Sequence, residues 1–468
     1  MPTRADIKMN TKSATKNYEN YFGHLFRYQK IYLCALLIVL AALPLFSNYL
    51  QSKPLLMGGE SYYYLSSARE ELPYHPLTLL FRIIPDDLAF LFPALISIGI
   101  ILLFYLLAQK IKIPEKKTFF IVLFYLLTPT FMFTYLTISS YSWYLLLLLL
   151  GANLMLLETK RKYLSIFPLL FASWIDTFNG LLVLAGVILY FLVVKKSKDR
   201  FAIILAIGIT AVILLNAFLL NSPFFLGPFT VQDKTADLFS DLGSFSGVGI
   251  FALLLAIIGL VTSWQKKYLS LLLPTLALFT AMYILNTYTV FFLSLLAIVL
   301  AAFCFVDLLE QHWKLAFLRN AVLLLLLLGI SFSAVSYLDR LSGYSPTAID
   351  QKTLEWIQRN TPEDAVILSA PENSYYVSYF AQRKAVFSLH QHYQQSYQLS
   401  RDIFSAFYID GLFPLLEQNE VSIIYVSEEM KQTLPPGQEF LFLLQNERFK
   451  LLYFTEEAEV WSFDEAKQ

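Results

Sequence analysis

The stretch IYLCALLIVLAALPLF, residues 31–46, contains no charged residue and decides the fold class. A helix of about 20 apolar residues spans the hydrocarbon core of a bilayer. A second such stretch, AVLLLLLLGISFSAVSY, occupies residues 321–337, and further apolar runs lie between the two. Across the 468 residues, 15% are charged, whereas soluble domains carry about 25%. The sequence therefore predicts a polytopic α-helical membrane protein.

Eleven membrane spans are predicted from the apolar runs. The fifth and sixth are short, and they could instead form a tight hairpin. The predicted spans are 31–49, 88–109, 118–137, 141–157, 163–176, 179–194, 201–219, 245–263, 269–285, 288–306 and 318–336.

Lys and Arg are distributed unevenly between alternate loops. The N-terminal segment and every second loop after it are rich in both, whereas the intervening loops hold only Lys53, Arg69, Arg82 and Lys234. Basic loops stay in the cytoplasm, so we predict a cytoplasmic N-terminus and a multi-pass plasma-membrane protein. An odd number of spans then puts the C-terminal part outside. The basic leader before the first span has no small-residue cleavage site, which predicts an uncleaved span.

The chain divides into a membrane part, residues 1–336, and a soluble extracytoplasmic part, residues 337–468. Two external loops are long, at 50–87 and 220–244. The soluble part alternates helical and β-rich patterns, which predicts a small α/β domain. Its segment AIDQKTLEWIQRNTP is typical of a helix and 398–418 is also helical, whereas the predicted strands are DAVILSA, KAVFSL, VSIIYVS, FKLLYF and AEVWSF.

The loop after the first span contains the most distinctive acid. Residues 55–76 read LLMGGESYYYLSSAREELPYHP. Gly58 and Gly59 allow a sharp turn, and Glu60 begins a helix predicted over 60–71. A carboxylate at a helix N-terminus is favoured by the helix dipole, and it can act as a general base or a metal ligand. A simple helix-terminal acid explains Glu60 equally well.

Other loop residues permit two interpretations. His75 and Arg82 flank an apolar segment and could anchor it at the membrane surface or meet a lipid phosphate. Tyr62 and Tyr63, with the tyrosine after them, are typical of a membrane interface, but could also stack on a sugar. Asp241 precedes two glycines and is either a solvated acid or a site residue.

Several function classes lack support in the sequence. The spans contain almost no ionisable residue apart from Asp176, which counts against a proton-coupled pump. The chain has no Walker loop, Rossmann glycine motif, HExxH pair or nucleophile elbow. We also expect no nucleic-acid partner.

The order and sidedness of these features resemble the GT-C superfamily of integral-membrane glycosyltransferases. GGESYYYL is similar to the first external loop of that superfamily, where the acid is usually Asp. YHPL resembles the basic residue and proline of some lipid-linked sugar transferases, and FSDLGSFSG resembles an external-loop acid motif of oligosaccharyltransferases. The loop TISSYS, however, lacks the metal-binding acid pair of oligosaccharyltransferases, and their WWDYG motif is absent. Transfer to asparagine is therefore not predicted.

The resemblance implies transfer of a sugar from a polyprenyl-phosphate-linked donor to an extracytoplasmic protein, lipid or glycan at the bilayer surface. It implies that Glu60 is the base, with Asp241 and Asp176 as further catalytic acids. Glu60 and Asp241 would also be the ligands if a divalent cation, Mg or Mn, takes part. The alternative is a non-catalytic GT-C-like scaffold or a lipid or polysaccharide carrier. The implied donor-phosphate contacts are His75, Arg82, Lys234 and Arg340, and the implied sugar or acceptor contacts are Tyr62 and Tyr63.

Overall fold

A computed structural model of the chain forms the basis of the description. The residues that it describes are 28–69, 76–157, 160–175, 177–193, 200–219, 238–242, 247–262, 269–285, 289–311, 313–343, 346–387, 393–404, 406, 408–433, 444 and 446–463.

The membrane part is a bundle of apolar helices. Each predicted span coincides with one helix or, for the third span, with two. The helices are α1 (Gln29–Leu50), α2 (Gly59–Arg69), α3 (Pro76–Phe81), α4 (Leu91–Lys110), α5 (Glu115–Leu126), α6 (Pro129–Leu136), α7 (Ser140–Met155), α8 (Ile166–Ile175), α9 (Thr177–Val193), α10 (Arg200–Leu219), α11 (Ile250–Thr262), α12 (Leu269–Leu285), α13 (Val290–Glu310) and α14 (Ala316–Gly343).

Within the described residues, four helices are long and apolar enough to cross a membrane individually: α1, α4, α13 and α14. The pair α5 and α6 would make a fifth span, and the remaining apolar helices are shorter. Helix α13 is the most buried of the four and α1 the least. These helices confirm the prediction of a polytopic α-helical membrane protein.

The third predicted span, 118–137, is broken rather than continuous. Helices α5 and α6 meet at an angle of 61°. Pro129 has no N–H to donate and disfavours helical backbone at the residue before it. Thr128 is accordingly extended, and its hydroxyl accepts the N–H of Phe131 to begin α6. The break directs the chain after α6 towards the loop that contains Glu60.

The last membrane helix is longer than predicted. Helix α14 continues to Gly343 instead of ending near residue 336. It therefore carries Arg340 on its last turn, rather than leaving that residue in the segment beyond the span.

Polar contacts fasten the end of the bundle opposite the soluble domain. The Nζ atom of Lys117, in α5, lies 2.8 Å from Oδ1 of Asp307 in α13. Gln29, at the start of α1, donates to Glu115 at 2.7 Å. Lys117 is largely buried, so this ion pair is shielded from solvent and holds two helices together.

The soluble domain contains a five-stranded mixed sheet of order β2-β1-β3-β5-β4. Strand β1 pairs in parallel with β2 and β3, whereas β5 pairs antiparallel with β3 and β4. This arrangement confirms the predicted α/β class, although KAVFSL contributes only two strand residues and the 398–418 pattern forms two helices. The elements in chain order are α15 (Ala348–Asn360), β1 (Val366–Leu368), β2 (Lys384–Ala385), α16 (Tyr393–Phe404), α17 (Ile409–Gln418), β3 (Val421–Val426), α18 (Glu428–Thr433), β4 (Phe449–Phe454) and β5 (Glu459–Phe463).

One hydrophobic core joins the first loop to the soluble domain. Tyr62, Leu65 and Phe81 from the loop pack in the same buried cluster as Val377 and Tyr425 from the domain. Burial of apolar surface contributes about 25 cal/mol per Å², so this shared core fixes the loop against the domain.

Candidate active site

Two glycines place Glu60 at the start of α2, each for a different reason. Gly58 has φ of 76°, a backbone conformation that residues with a Cβ rarely adopt. At Gly59, a Cβ atom would lie 2.6 Å from Cδ2 of Tyr375. The Gly-Gly pair thus permits both the turn and the close approach of the soluble domain to Glu60.

Backbone and hydroxyl contacts fasten α2 to the connection between α6 and α7. Met57 N–H donates to the carbonyl of Leu136 at 3.2 Å. The hydroxyl of Ser61 donates to the carbonyl of Met57 at 2.7 Å and accepts the N–H of Ile138 at 2.8 Å. These bonds bring Ser139 and Ser140 next to Glu60.

Several donors converge on one oxygen of the Glu60 carboxyl. Oε1 accepts the backbone N–H of Ser140 and the hydroxyl of Ser139, both at 3.2 Å. The hydroxyls of Tyr64 and Ser140 lie at 3.4 and 3.5 Å from the same atom. The sequence did not predict a site role for either serine, because the informative feature of TISSYS was its lack of acids.

Burial raises the pKa of Glu60 from 4.5 to about 7. The side chain is half-buried by accessible surface, but protein atoms crowd the carboxyl. Loss of water disfavours the charged form, and this effect exceeds the opposing influence of the hydrogen bonds from Ser140, Ser139 and Tyr64. A carboxyl with this pKa exists in both protonation states near neutral pH, as a proton-transferring group requires.

Tyr62 packs against the soluble domain rather than facing an open pocket. Its ring centroid lies 5.1–5.3 Å from those of Tyr376, Tyr379 and Phe380. It is 2% exposed, and its hydroxyl donates to the carbonyl of Leu56 at 2.9 Å. These contacts show that Tyr62 packs at the interface with the soluble domain, and a sugar or acceptor contact of this residue stays a prediction.

Tyr63, the second expected sugar or acceptor contact, is half-buried. Its ring lies 5.3 Å from Tyr64 and 5.6 Å from Tyr375, between centroids. The ring is thus beside the residues that surround Glu60, and a substrate contact stays a prediction.

A second set of contacts joins the far end of α2 to the domain. Arg69 forms an ion pair with Asp86, and its guanidinium lies 4.2 Å from the ring centroid of Tyr379. It also donates to the carbonyl of Tyr379 at 3.2 Å. The helix that begins with Glu60 is therefore fixed to the domain along its length.

Asp241 lies at the N-terminus of α11. Its Oδ2 accepts the N–H of Ile250 at 2.7 Å and the hydroxyl of Ser333, in α14, at 3.2 Å. Its Oδ1 is buried and has no hydrogen-bond partner among the described residues. Asp241 thus stabilises a helix terminus and retains one oxygen for a further donor. No contact joins Asp241 to Glu60 within the described residues.

The predicted phosphate contacts have different surroundings. Arg340 is half-buried, and its Nε and Nη2 atoms are buried without a hydrogen-bond partner in the described part of the chain. Arg82 is exposed. His75, Lys234 and the acid Asp176 lie outside the described residues.

The surroundings of Glu60 do not fit a divalent cation. Such a cation binds several oxygens that can donate lone pairs, whereas the groups around Oε1 are hydrogen-bond donors. No cluster of three or more His, Cys, Asp or Glu side chains that could hold a metal occurs among the described residues.

Sequence comparison gives no relative, since no family model and no curated protein matches the chain. Comparison with solved structures, in contrast, finds proteins of similar fold. The oligosaccharyltransferase AglB of Archaeoglobus fulgidus, in complex with an inhibitory peptide and a dolichol-phosphate, aligns with a TM-score of 0.57 at 12% identity. The alignment covers 94% of this chain and 75% of that one. An oligosaccharyltransferase of Archaeoglobus fulgidus solved in complex with zinc and sulfate aligns with a TM-score of 0.57 at 14% identity.

A second match is ArnT of Cupriavidus metallidurans. Its apo structure aligns with a TM-score of 0.53 at 11% identity, covering 92% of this chain and 97% of that one. The form bound to undecaprenyl phosphate aligns at 0.51 and 12% identity. At identities this low, the alignments show similarity of fold alone, and this similarity extends over nearly the whole chain.

Proposed function

We propose that this chain, which has a GT-C-like fold, is a membrane glycosyltransferase that moves a sugar from a polyprenyl-phosphate-linked donor to an acceptor. The observation that carries the proposal is the half-buried carboxyl of Glu60, held by donors from Ser139 and Ser140. Proteins of similar fold have been solved with a dolichol-phosphate and with undecaprenyl phosphate, which supports a lipid-phosphate donor.

Glu60 has the properties of a general base for the acceptor. Its pKa of about 7 lies near neutral pH, where a base combines an available ionised form with useful basicity. Removal of the acceptor proton by Glu60 makes the acceptor a better nucleophile for the anomeric carbon of the sugar. The lipid phosphate then leaves with the electrons of the broken bond.

Helix α14 offers groups suited to the donor. Ser333 and Arg340 are seven residues apart, so they lie on the same face, about 10 Å apart along the helix axis. The Nε and Nη2 atoms of Arg340 have no hydrogen-bond partner within the described residues, although its guanidinium lies 5.8 Å from the ring centroid of Tyr337. Arg binds phosphate through charge-assisted hydrogen bonds. Asp241, beside Ser333, has an Oδ1 without a hydrogen-bond partner among the described residues, which can accept from a sugar hydroxyl. We assign Arg340 to the donor phosphate and Asp241 to the sugar.

The proposed site lies at the end of the bundle that carries the soluble domain. Glu60 is on the helix that packs against the domain, and Arg340 is on the last turn of the helix that leads to it. Together with the positive-inside pattern, this placement supports transfer outside the cytoplasm, where a polyprenyl-linked sugar replaces a nucleotide sugar.

The test is transfer from polyprenyl-phosphate sugars that are extracted from the source cell's membranes and radiolabelled in the sugar. With the source cell's envelope fraction supplied as the acceptor, we expect the wild-type protein to move labelled sugar from the lipid to that fraction. Glu60→Gln should lose this activity while still folding. Glu363→Gln, which changes an exposed acid of the soluble domain, is the matched control and should transfer normally.

No transfer of label by the wild-type protein would refute transferase activity. It would favour a non-catalytic scaffold or a lipid carrier. If Glu60→Gln transfers sugar as fast as wild type, the proposed transferase activity stands but Glu60 is not its base.

A further inference from the structure

We propose that Ser139 and Ser140 are positioning residues, which hold one oxygen of Glu60 so that the other takes the acceptor proton without a divalent cation at this carboxyl. The inference rests on the proposed function and deepens it. It assigns a role to the connection between α6 and α7, which supplies the donors to Glu60.

The two carboxylate oxygens of Glu60 differ in their surroundings. Oε1 accepts hydrogen bonds from Ser139, Ser140 and Tyr64. Within the described residues, no hydrogen bond reaches Oε2. Hydrogen bonds stabilise the charge on the oxygen that accepts them and fix its position, so Oε2 is the oxygen with free lone pairs. We assign proton transfer to Oε2.

Ser139 is itself held in one orientation. Its hydroxyl accepts the N–H of Tyr141 at 3.2 Å, as the N-cap of α7. A hydroxyl has one proton to donate. Because a lone pair of the Ser139 hydroxyl faces the N–H of Tyr141, its proton is directed at Glu60. The Ser140 N–H belongs to the first turn of α7, where the helix dipole favours a negative charge.

Donors can take the place of a cation here because, in the described part of the chain, no charged side chain affects the carboxyl of Glu60. The interactions that affect Glu60 within the described residues are the burial of the carboxyl and the hydrogen bonds from Ser139, Ser140 and Tyr64. The further titratable neighbours of Tyr64 are Tyr63, also on α2, and Tyr375 of the soluble domain. Both are neutral phenols near pH 7, so the hydrogen bonds alone orient the carboxylate.

The chemical step is balanced without a metal. The hydroxyl or amine proton of the acceptor moves to Oε2, and the acceptor lone pair forms a bond to the anomeric carbon. The bond between that carbon and the phosphate oxygen breaks, and its electron pair stays on the phosphate. The products are the glycosylated acceptor, protonated Glu60 and the free lipid phosphate.

The test compares substitutions at Ser139 that the helix N-cap tolerates but that differ in donor capacity. Thr and Gly are both tolerated at a helix N-cap and add no charge beside Glu60, but only Thr has a hydroxyl proton for Oε1. We expect Ser139→Gly to lower kcat about 10–100-fold, with an unchanged KM for the extracted donor, and Ser139→Thr to retain activity. Ser142→Ala is the control, because the buried hydroxyl of Ser142 has no hydrogen-bond partner within the described residues.

Metal use is tested by two measurements. Wild-type transfer should survive EDTA, and calorimetric titration of Mn²⁺ into the purified, donor-free protein should be the same for wild type and Glu60→Gln. A Mn²⁺ site that disappears in Glu60→Gln, or a loss of transfer in EDTA, would overturn the inference.

The outcomes separate the inference from the proposed function. If Glu60→Gln abolishes transfer but Ser139→Gly acts like wild type, the positioning role is wrong and the base assignment stands. If Glu60→Gln is fully active, the base assignment itself fails.

Discussion

Substitution of Glu60 by Gln should make the protein more stable at alkaline pH while removing its activity. Glu60 has a pKa of about 7 in the folded protein and an ordinary value of 4.5. Below pH 4.5 the carboxyl is neutral in both the folded and the unfolded chain, so its burial has no electrostatic cost. As the pH rises towards 7 the unfolded chain releases the proton first, and the folded state loses stability.

The magnitude follows from the difference between the two pKa values. One pKa unit corresponds to 1.36 kcal/mol, so ionised Glu60 costs the folded state up to about 3 kcal/mol above pH 7. An entropy of unfolding of about 2 cal/mol/K per residue gives a midpoint shift of about 3 °C for a chain this long. Gln keeps an oxygen for the donors of Ser139 and Ser140 and has no ionised form.

The assay is thermal unfolding of the detergent-solubilised protein at pH 4 and pH 8. We expect the midpoint of Glu60→Gln to exceed that of wild type at pH 8 and to equal it at pH 4. Glu363→Gln, at an exposed position, should match wild type at both. A difference between Glu60→Gln and wild type that does not change with pH would refute the desolvation argument.

Three further predictions concern other contacts. Tyr62→Ala should lower the free energy of unfolding by about 3 kcal/mol, because it removes a ring from the interface with the soluble domain. An unchanged thermal unfolding midpoint together with a raised KM for the donor would instead indicate a sugar contact. Lys117→Met should destabilise the bundle by several kcal/mol, measured as an unfolding midpoint, with part of the loss restored by Asp307→Asn in the same chain. Arg340→Gln should weaken binding of undecaprenyl phosphate at least tenfold, measured by calorimetry, and unchanged binding would remove Arg340 from the donor site.

The sequence predicted the membrane helices because long apolar runs have few alternative structures. It missed the break in the third span, although Thr128-Pro129 is a common start of a helix, because hydropathy averages over the two short helices. The strands of residues 421–426, 449–454 and 459–463 were predicted, whereas β2 is short and owes its pairing to the neighbouring β1.

The environment of Glu60 was harder to predict than its identity. Its glycine neighbours and position at a helix start were visible in the sequence. Its partners Ser139 and Ser140 lie 79 and 80 residues further along the chain, and serines occur too widely to indicate a site. Tyr62 was ambiguous for a related reason, since a tyrosine suits a membrane interface, a sugar or a protein core equally well.

The shared core of the first loop and the soluble domain also constrains synthesis of the chain. Tyr62 emerges from the ribosome early, but it packs with Tyr376, and the same core contains Val460 near the end of the chain. During translation the helix that carries Glu60 lacks these partners, so its apolar face stays uncovered until the strands of the soluble domain have been synthesised. A product truncated before the soluble domain would therefore insert its helices without assembling the core around the helix that carries Glu60.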